Sequence, residues 1–309
     1  MMLNRNRSFP SARWALASVL LFLWADAYPA KFDPMEATIT EINAAFEDRS
    51  LTSERLVQWY LDRIEAYDRQ GPELSTLIYV NPDALDEARA LDKERRKQGP
   101  RSLIHGIPVI IKDNYDTADM PTTAGSVLLK NSRPTDDAFV VERLREAGAV
   151  IIGKANMSEF ALSFDRLSHS SLGGLTRNPY NLNRDASGSS SGSAAAVAAN
   201  FAVFATGSDT AGSIRAPANV TGTVGIKPTL GLTSRNGVVP VALSFDVTGP
   251  IARTVEDAAV ALQYMASVDP DDPRTQESRT WQVEDYTRFL DPAALDGARL
   301  GIARDPFGG

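Results

Sequence analysis

The stretch between Gly188 and Arg215 constrains the fold of this chain more than any other part of its sequence. It opens with GSSSGSAAA and closes with GSDTAGSIR, so two serine-containing turns flank a run of Ala and Val. Small side chains let a substrate carbonyl approach the backbone closely, and backbone N–H groups can then point at it. Composition alone favours a plain Gly/Ser-rich loop between helices, so the function of this stretch depends on the rest of the chain.

The overall composition excludes several kinds of chemistry. None of the 309 residues is Cys, which rules out thiol catalysis, disulfides and thiolate metal ligands. The two histidines, His105 and His169, are too few for a His-rich metal site. The formal net charge of −7 predicts no basic surface, so we expect no nucleic-acid partner.

The N-terminus has the form of a secretory signal peptide, which we assign to residues 1–27. Three arginines precede an apolar run from Trp14 to Trp24, and Ala25-Asp26-Ala27 offers a small-x-small cleavage site. The apolar run is too short for a membrane-spanning helix, and an uncleaved anchor is the alternative. We therefore expect a secreted or periplasmic protein with no stable membrane association after the signal is removed.

Hydrophobic periodicity divides the remaining chain into alternating helices and strands. Helical patterns cover 36–46, 52–67, 82–97, 137–146 and 254–266, and a further helix starts at Ser191. Short apolar runs predict strands at 103–112, 149–152, 201–206 and 299–303. This alternation predicts an α/β fold whose sheet is covered by helices on both faces. Residues 28–99 form an N-terminal helical segment in this division, and residues 100–309 form the core.

Two motifs fit other enzyme classes less well. GAVIIGK (148–154) is close to the phosphate-binding pattern GxxxxGK[ST], but Ala155 replaces the required hydroxyl and the interior residues are those of a buried strand. GSSSG (188–192) fits the G-x-S-x-G turn of α/β-hydrolases, with Ser190 as nucleophile. A polar loop precedes this turn where a strand is required, and both histidines lie upstream of it.

Without a suitably placed histidine, a lysine is the base that remains for activating a serine. Lys112 ends an apolar run and is followed by Asp113 and Asn114. A lysine drawn into a low-dielectric site loses its proton more readily and can act as a base. A lysine at a strand end can also simply reach solvent, so its position alone does not decide its role.

Taken together, seven segments resemble the amidase signature family and follow that family's order. They are HGIPVIIKDN (105–114), KANMSEFA (154–161), TRNPYN (176–181), GSSSGSAAAVAA (188–199), GSDTAGSIRAPA (207–218), GTVGIKPTLGLTSRNGVVPV (222–241) and FDVTGPIARTVEDAA (245–259). The form of the serine-rich segment is similar to the peptide-amidase-like branch. The resemblance implies the mixed sheet of the amidase signature fold, with residues 100–309 as its catalytic core.

The resemblance also implies a Ser–cis-Ser–Lys triad. By motif position, Ser213 is the nucleophile, Ser189 is the bridging serine after a cis peptide bond at Gly188, and Lys112 is the base. The family uses no metal or organic cofactor, and we expect none here. The remaining site residues are the oxyanion donors, which are the backbone N–H groups of Thr210, Ala211 and Gly212, and the supporting side chains of Ser190, Asp209 and Arg215.

This chain departs from the family pattern in two ways. Ser187 and Ala211 stand where many members have glycine, and the Ala211 methyl group lies beside the expected oxyanion turn. Members are usually longer by a third or more, and PFGG follows the last expected strand directly, with no covering helix. We therefore expect a C-terminally truncated chain with an incomplete core.

The resemblance implies an amide hydrolase. Its substrate would be a small-molecule or peptide amide, either a C-terminal peptide amide or another acyl amide, which it would cleave through an acyl-enzyme to an acid and ammonia or an amine. One alternative is a truncated remnant without catalysis. Another is a glutaminase subunit of an amidotransferase, which the expected export signal disfavours.

Overall fold

A computed structural model describes residues 32–162 and 167–301 of the chain. These residues fall in one structural unit, Phe32–Gly309, and the expected signal peptide lies outside the described part. The helices described are α1 (Ile39–Glu47), α2 (Ser53–Tyr67), α3 (Ala84–Gln98), α4 (Phe139–Glu146), α5 (Ser191–Ala198), α6 (Arg215–Thr221) and α7 (Val255–Met265). The strands are β1 (Leu77–Val80), β2 (Pro108–Lys112), β3 (Val150–Ala155), β4 (His169–Ser170), β5 (Gly174–Leu175), β6 (Arg177–Asn178), β7 (Asn181–Asp185), β8 (Phe204–Asp209), β9 (Val224–Gly225) and β10 (Val247–Ala252).

A six-stranded mixed sheet lies at the centre, with the strand order β1-β3-β2-β8-β10-β9. The inner strands β3, β2 and β8 run parallel to one another, whereas β1, β10 and β9 each pair antiparallel with a neighbour. Two short hairpins, β4-β5 and β6-β7, lie outside this sheet. The mixed α/β class predicted from the sequence is confirmed.

Helices cover the sheet because parallel neighbours need long crossovers. The chain passes from β2 to β3 through α4 and from β3 to β8 through α5, and these two connections run in opposite directions across the sheet. Crossovers between parallel strands are nearly always right-handed, so opposite directions place α4 and α5 on opposite faces. Helix α5 contacts β2, β3, β8 and β10.

The N-terminal helices join the same hydrophobic core as the sheet. Thr38 and Glu41 form a capping box at α1, and the Thr52 hydroxyl caps α2. Helices α2 and α3 contact each other, and both contact β3. The division at residue 99 stays an assignment made from sequence.

Helix α1 is tied directly to the region around α7. The Asp257 carboxylate accepts a hydrogen bond from the Ile39 N–H at 2.9 Å, and the Arg253 guanidinium donates to the Ala37 carbonyl at 2.8 Å. Asp257 is buried, so it satisfies an N–H group at the start of α1 that has no partner inside the helix. None of the helices in the described ranges is long and apolar enough to cross a membrane.

Several element boundaries differ from those predicted. The strand expected at 103–112 begins only at Pro108, and the one expected at 201–206 runs from Phe204 to Asp209. The sequence analysis missed α6, β1, β10 and the short strands β4, β5, β6, β7 and β9. The strand predicted at 299–303 is wrong for residues 299–301, which have no regular structure, and residues 302–303 lie outside the described part.

Candidate active site

The carboxyl ends of two parallel strands bring the predicted site together. Strands β2 and β8 are neighbours in register, and they end at Lys112 and Asp209 respectively. Helix α5 is anchored beside them, because the Ser193 hydroxyl donates to the Thr206 carbonyl at 2.8 Å. The residues just before α5, which include Ser189, therefore lie at the same sheet edge, where α/β folds place their ligand sites.

Lys112 is fully buried and faces only uncharged partners. Its Nζ donates to the Ser189 Oγ at 2.8 Å, to the Ser208 Oγ at 2.8 Å and to the Ser208 carbonyl at 3.3 Å. The Asn114 side-chain amide donates to the same Ser208 Oγ at 3.1 Å. Ser208 and Asn114 thus set the position of the lysine amine, and the sequence analysis did not single out either residue.

Burial changes the protonation of this lysine. Loss of hydration lowers the pKa of Lys112 to about 7, and the negative charges of Asp209 and Asp246 oppose that decrease. A large fraction of the amine is therefore uncharged at neutral pH. An uncharged amine next to a hydroxyl can accept a proton from it.

Ser189 lies in the turn before α5, and the Gly188–Ser189 peptide bond is cis, which confirms that expectation. Its backbone carbonyl accepts from the Ser158 N–H at 3.0 Å. A Cβ at position 188 would lie 2.3 Å from the Ser158 Oγ, so the Ser158 side chain would have to move for any residue other than glycine. Ser187, where many amidase signature members have glycine, has a φ of 59°, a left-handed conformation that glycine adopts more easily.

Asp209 organises the turn that carries Ser213. Its carboxylate accepts from the backbone N–H groups of Gly212 at 2.7 Å and Ile214 at 3.0 Å, and from the Arg215 guanidinium at 3.1 and 3.2 Å. Burial raises the pKa of Asp209, but the hydrogen bonds from Arg215 and the backbone outweigh it and lower the pKa below its usual value. Asp209 therefore holds the turn as a carboxylate.

The structure connects Ser213 to the other two residues of the expected triad through the backbone. The Ser190 N–H donates to the Ser213 carbonyl at 3.1 Å, so the two serine turns are held next to each other. The Ser213 side chain is partly exposed, and within the described ranges its hydroxyl makes no hydrogen bond with another residue. Lys112 and Ser189 thus meet side chain to side chain, whereas a backbone hydrogen bond joins the turn of Ser213 to the turn that carries Ser189.

The expected oxyanion donors differ in their availability. The Gly212 N–H is already donated to Asp209, so the N–H groups of Thr210, Ala211 and Ser213 are the better candidates. The Thr210 hydroxyl donates to the Asp246 carboxylate, which fixes the start of this turn. Ala211 is exposed, so its methyl group points away from the packed interior.

A small cleft of about 10 Å³ opens beside this turn, and polar and apolar residues both line it. The polar residues of its wall are Asn114, Ser208, Thr210, Arg235, Asp246 and Thr248. The apolar part comes from Val238, Val239, Pro240, Val241, Leu243 and Val247. Within the described ranges, no group of three or more His, Asp or Glu side chains is placed to hold a metal ion.

Comparison with known protein families gives a match to the Amidase model over residues 55–308. Among curated proteins, the chain is 46% identical over 278 residues to a probable amidase of Arabidopsis thaliana, covering 88% of this chain and 54% of that protein. It is 40% identical over 272 residues to a glutamyl-tRNA(Gln) amidotransferase subunit of Microcystis aeruginosa, again covering 88% of this chain and 54% of the relative.

Solved structures give a similar result. The native peptide amidase from Stenotrophomonas maltophilia superposes with a TM-score of 0.82 at 48% identity, covering 85% of this chain and 54% of that one. A peptide amidase in complex with the competitive inhibitor chymostatin gives a TM-score of 0.83 at 47% identity, covering 86% and 55% respectively. The chain therefore spans about half the length of the relatives it matches.

Proposed function

This chain belongs to the amidase family, and we propose that it hydrolyses a carboxamide through an acyl-enzyme on Ser213. The contact that carries this proposal is the one between the buried Lys112 amine and the Ser189 hydroxyl, at 2.8 Å. An amine with a pKa of about 7 can accept a proton near neutral pH, which an ordinary lysine cannot do.

The proposed first step moves one proton along two serines. The Ser213 Oγ attacks the amide carbonyl carbon and gives its proton to the Ser189 Oγ, while Ser189 gives its own proton to the uncharged Lys112 amine. The Ser213 hydroxyl has to turn toward Ser189 for this transfer, and hydrogen bonds of this kind often form only when substrate binds. The negative oxygen is stabilised by backbone N–H groups of the 210–213 turn.

The second half of the reaction reverses the proton path. The C–N bond breaks as the proton returns from Lys112 through Ser189 to the leaving nitrogen, which departs as ammonia or an amine. Water then attacks the Ser213 ester, and the products are a carboxylic acid and the free serine. Ser190, Asp209 and Arg215 hold the two turns in place and take no part in the proton transfers.

We propose a C-terminal peptide amide or another acyl amide as the substrate. The apolar residues of this small cleft would contact part of the acyl group. The solved relatives include a peptide amidase bound to a competitive inhibitor, which supports a peptide-like substrate for this chain as well.

Fluorophosphonate labelling with peptide mapping tests the proposed triad. The probe needs both an activated serine and an oxyanion site. We expect one adduct, on Ser213, that is lost in Ser213→Ala and reduced at least about 100-fold in Lys112→Ala. Lys97→Ala is the matched control, because it removes an exposed lysine in the last turn of α3, and it should label like the original chain.

Two results would contradict the triad. Full labelling of Lys112→Ala would remove the lysine from the mechanism, and an adduct on another serine would remove Ser213. If circular dichroism shows that the chain is folded and the chain still takes no label, the result would favour a protein without catalysis.

A glutaminase subunit of an amidotransferase is the second candidate, because the relatives include glutamyl-tRNA(Gln) amidotransferase subunits. The two candidates differ in their products. A hydrolase releases ammonia and a free acid from a peptide amide, whereas a glutaminase of this kind acts on glutamine and passes ammonia to an acceptor. Assays of ammonia release from both substrates, without an acceptor, separate them.

We also propose that the chain is exported. Residues 1–27 combine arginines, an apolar run and a small-x-small site in the order that a secretory signal requires. Expression of the full chain in a bacterium should give a periplasmic or secreted product whose N-terminus is Tyr28. An intact N-terminus in the cytosolic fraction would refute export, and an intact one in the membrane fraction would indicate an uncleaved anchor.

A further inference from the structure

Asp246 lies where the cleft meets the turn that carries the expected nucleophile. It directly precedes β10, whose Val247 pairs with Asp209 at the end of β8. Asp246 therefore stands opposite Thr210, the first residue of the 210–213 turn. Only 9% of the residue is exposed, so its carboxylate depends on protein partners for its hydrogen bonds.

Both oxygens of this carboxylate have partners, and these come from two different segments. The Oδ1 atom accepts from the Thr210 hydroxyl, in the 210–213 turn. The Oδ2 atom accepts from the backbone N–H groups of Val241 and Ala242, each at 2.9 Å. The Asp246 N–H in turn donates to the Ala242 carbonyl at 2.8 Å. One side chain thus joins the turn to the segment 239–245, which we call the cleft loop.

We propose that Asp246 is a positioning residue that fixes the cleft loop relative to the 210–213 turn. This inference rests on the proposed function, in which the acyl group lies against the cleft loop while its carbonyl meets N–H groups of the turn. A fixed separation between the two segments then aligns the carbonyl with the Ser213 hydroxyl. Misplacement by about 1 Å costs up to about 100-fold in rate.

The charge of Asp246 gives it a second, separable effect on the site. The carboxylates whose charges act on Lys112 are Asp209 and Asp246. Asp209 is paired with Arg215. Asp246 accepts hydrogen bonds only from neutral groups within the described ranges. The nearby Arg235 forms its ion pair with Asp272, and the charge of Asp246 also acts on that guanidinium. Asp246 therefore supplies a negative charge that favours protonated Lys112.

Three variants separate position from charge. Asp246→Asn keeps the shape, because its amide oxygen can accept from the cleft loop and its amide nitrogen can donate to Thr210. Asp246→Ala removes both the links and the charge. Thr210→Val removes the link to the turn and leaves the charge in place, so it is the matched control for the electrostatic effect.

The readouts are kcat and KM on a peptide amide and the pH profile of kcat/KM. We expect Asp246→Asn to keep kcat within about 3-fold and to shift the acidic limb of the profile down by about 0.5 to 1 pH unit. Asp246→Ala should lower kcat about 10- to 100-fold with a smaller change in KM. Thr210→Val should lower kcat without moving the acidic limb.

An Asp246→Ala enzyme with an unchanged kcat would show that the links do not position the site. An unmoved acidic limb in Asp246→Asn would show that the charge does not act on Lys112.

A measurement that needs no turnover separates this inference from the proposed function. Carbon-13 NMR of the Lys112 Cε follows the titration of this lysine in the original chain and in Asp246→Asn. Amide hydrogen exchange at Val241 and Ala242 reports the link, and it should become faster in Asp246→Ala. If the original chain neither labels nor turns over, the proposed function fails, and these two measurements still decide the role of Asp246.

Discussion

Two buried lysines lie close to the site, and their surroundings suit opposite protonation states. Lys112 contacts only hydroxyl and carbonyl oxygens of Ser189 and Ser208, and burial lowers its pKa to about 7. Lys154 lies 3.7 Å from the Asp113 carboxylate and also donates to carbonyl and hydroxyl oxygens of the 115–122 loop. Burial lowers the pKa of Lys154 to about 8, and the Asp113 carboxylate opposes that decrease. Because Lys154 has this carboxylate beside it and Lys112 contacts none, Lys154 anchors that loop as a cation and Lys112 is the better base.

Lys112 should reduce the stability of the fold near neutral pH. Its pKa is about 7 in the folded chain, against about 10.4 for an exposed lysine, so the unfolded chain binds the proton more tightly. The contribution of Lys112 to the free energy of unfolding is therefore greatest above about pH 10.4, and it falls as the pH decreases to about 7. Lys112→Met should raise the free energy of unfolding at pH 7 by on the order of 2 to 4 kcal/mol.

Urea denaturation of both chains at several pH values measures this effect. The gain from Lys112→Met should shrink as the pH rises from about 7 toward about 10.4. A gain that is independent of pH would show that it comes from packing and not from the buried amine. The same variant should take no fluorophosphonate label, so stability and activity would move in opposite directions.

The family resemblance selects Lys112, Ser189 and Ser213 as the expected triad, but it does not select their neighbours. The three fall in motifs that the family resemblance orders along the chain. Ser208 and Asp246 belong to the same motifs. Nothing in the sequence says that Ser208 contacts Lys112 or that Asp246 contacts Thr210. That depends on the pairing of β8 with β10, which brings distant residues together.

At the scale of elements, α5 shows how closely the serine turn must pack. It is an eight-residue helix of small side chains, and every residue from Ser191 to Val197 is buried. The Gly192 N–H donates to the Asn156 carbonyl at 3.0 Å, so the start of the helix rests on the chain that follows β3. Larger side chains would move the helix and with it the turn that holds Ser189.

Gly192 is the position where this packing is most sensitive. A Cβ at position 192 would lie 2.3 Å from the Thr76 carbonyl oxygen and 2.4 Å from that of Asn156. Both are backbone atoms that cannot move aside, so Gly192→Ala should destabilise the protein by about 2 kcal/mol or more, despite the better helix propensity of alanine.

Thermal or urea denaturation of Gly192→Ala measures this loss of stability, and Gly301→Ala is the control variant. The control position is exposed and has no atom within 4 Å of an added Cβ, so its stability should change by less than about 0.5 kcal/mol. Equal stability of the two variants would show that the α5 contact can relax.

The elements that the sequence analysis missed have weak local patterns. Strand β10 contains Gly249 and Pro250, which interrupt the apolar run, and it is a strand because it pairs with β8 along six residues. Helix α6 includes Pro217 and lies after the Asp209-bound turn, so its start is set by that turn and not by a helical pattern. Strand β8 begins three residues later than predicted, because its apolar run begins before the pairing does.

For the whole molecule, alternation of helices and strands is sufficient to predict the α/β class but not the strand order. Burial patterns report which residues are inside, whereas strand order depends on contacts between residues far apart in sequence. Helix α2 illustrates the predictable part, because its buried residues Leu56, Val57, Tyr60 and Ile64 follow its hydrophobic face. The direct links from α1 to Arg253 and Asp257 have no counterpart in any local pattern.

The link between Ile39 and Asp257 sets an order of events while the chain is being made. The two residues are 218 positions apart, and a ribosome that adds about 5 to 20 residues per second needs roughly 10 to 40 s to synthesise the chain between them. During that interval the first N–H group of α1 has no carboxylate to bind. The N-terminus of α1, the first helix in the described part of the chain, therefore gains its carboxylate partner only after the start of α7 has been made.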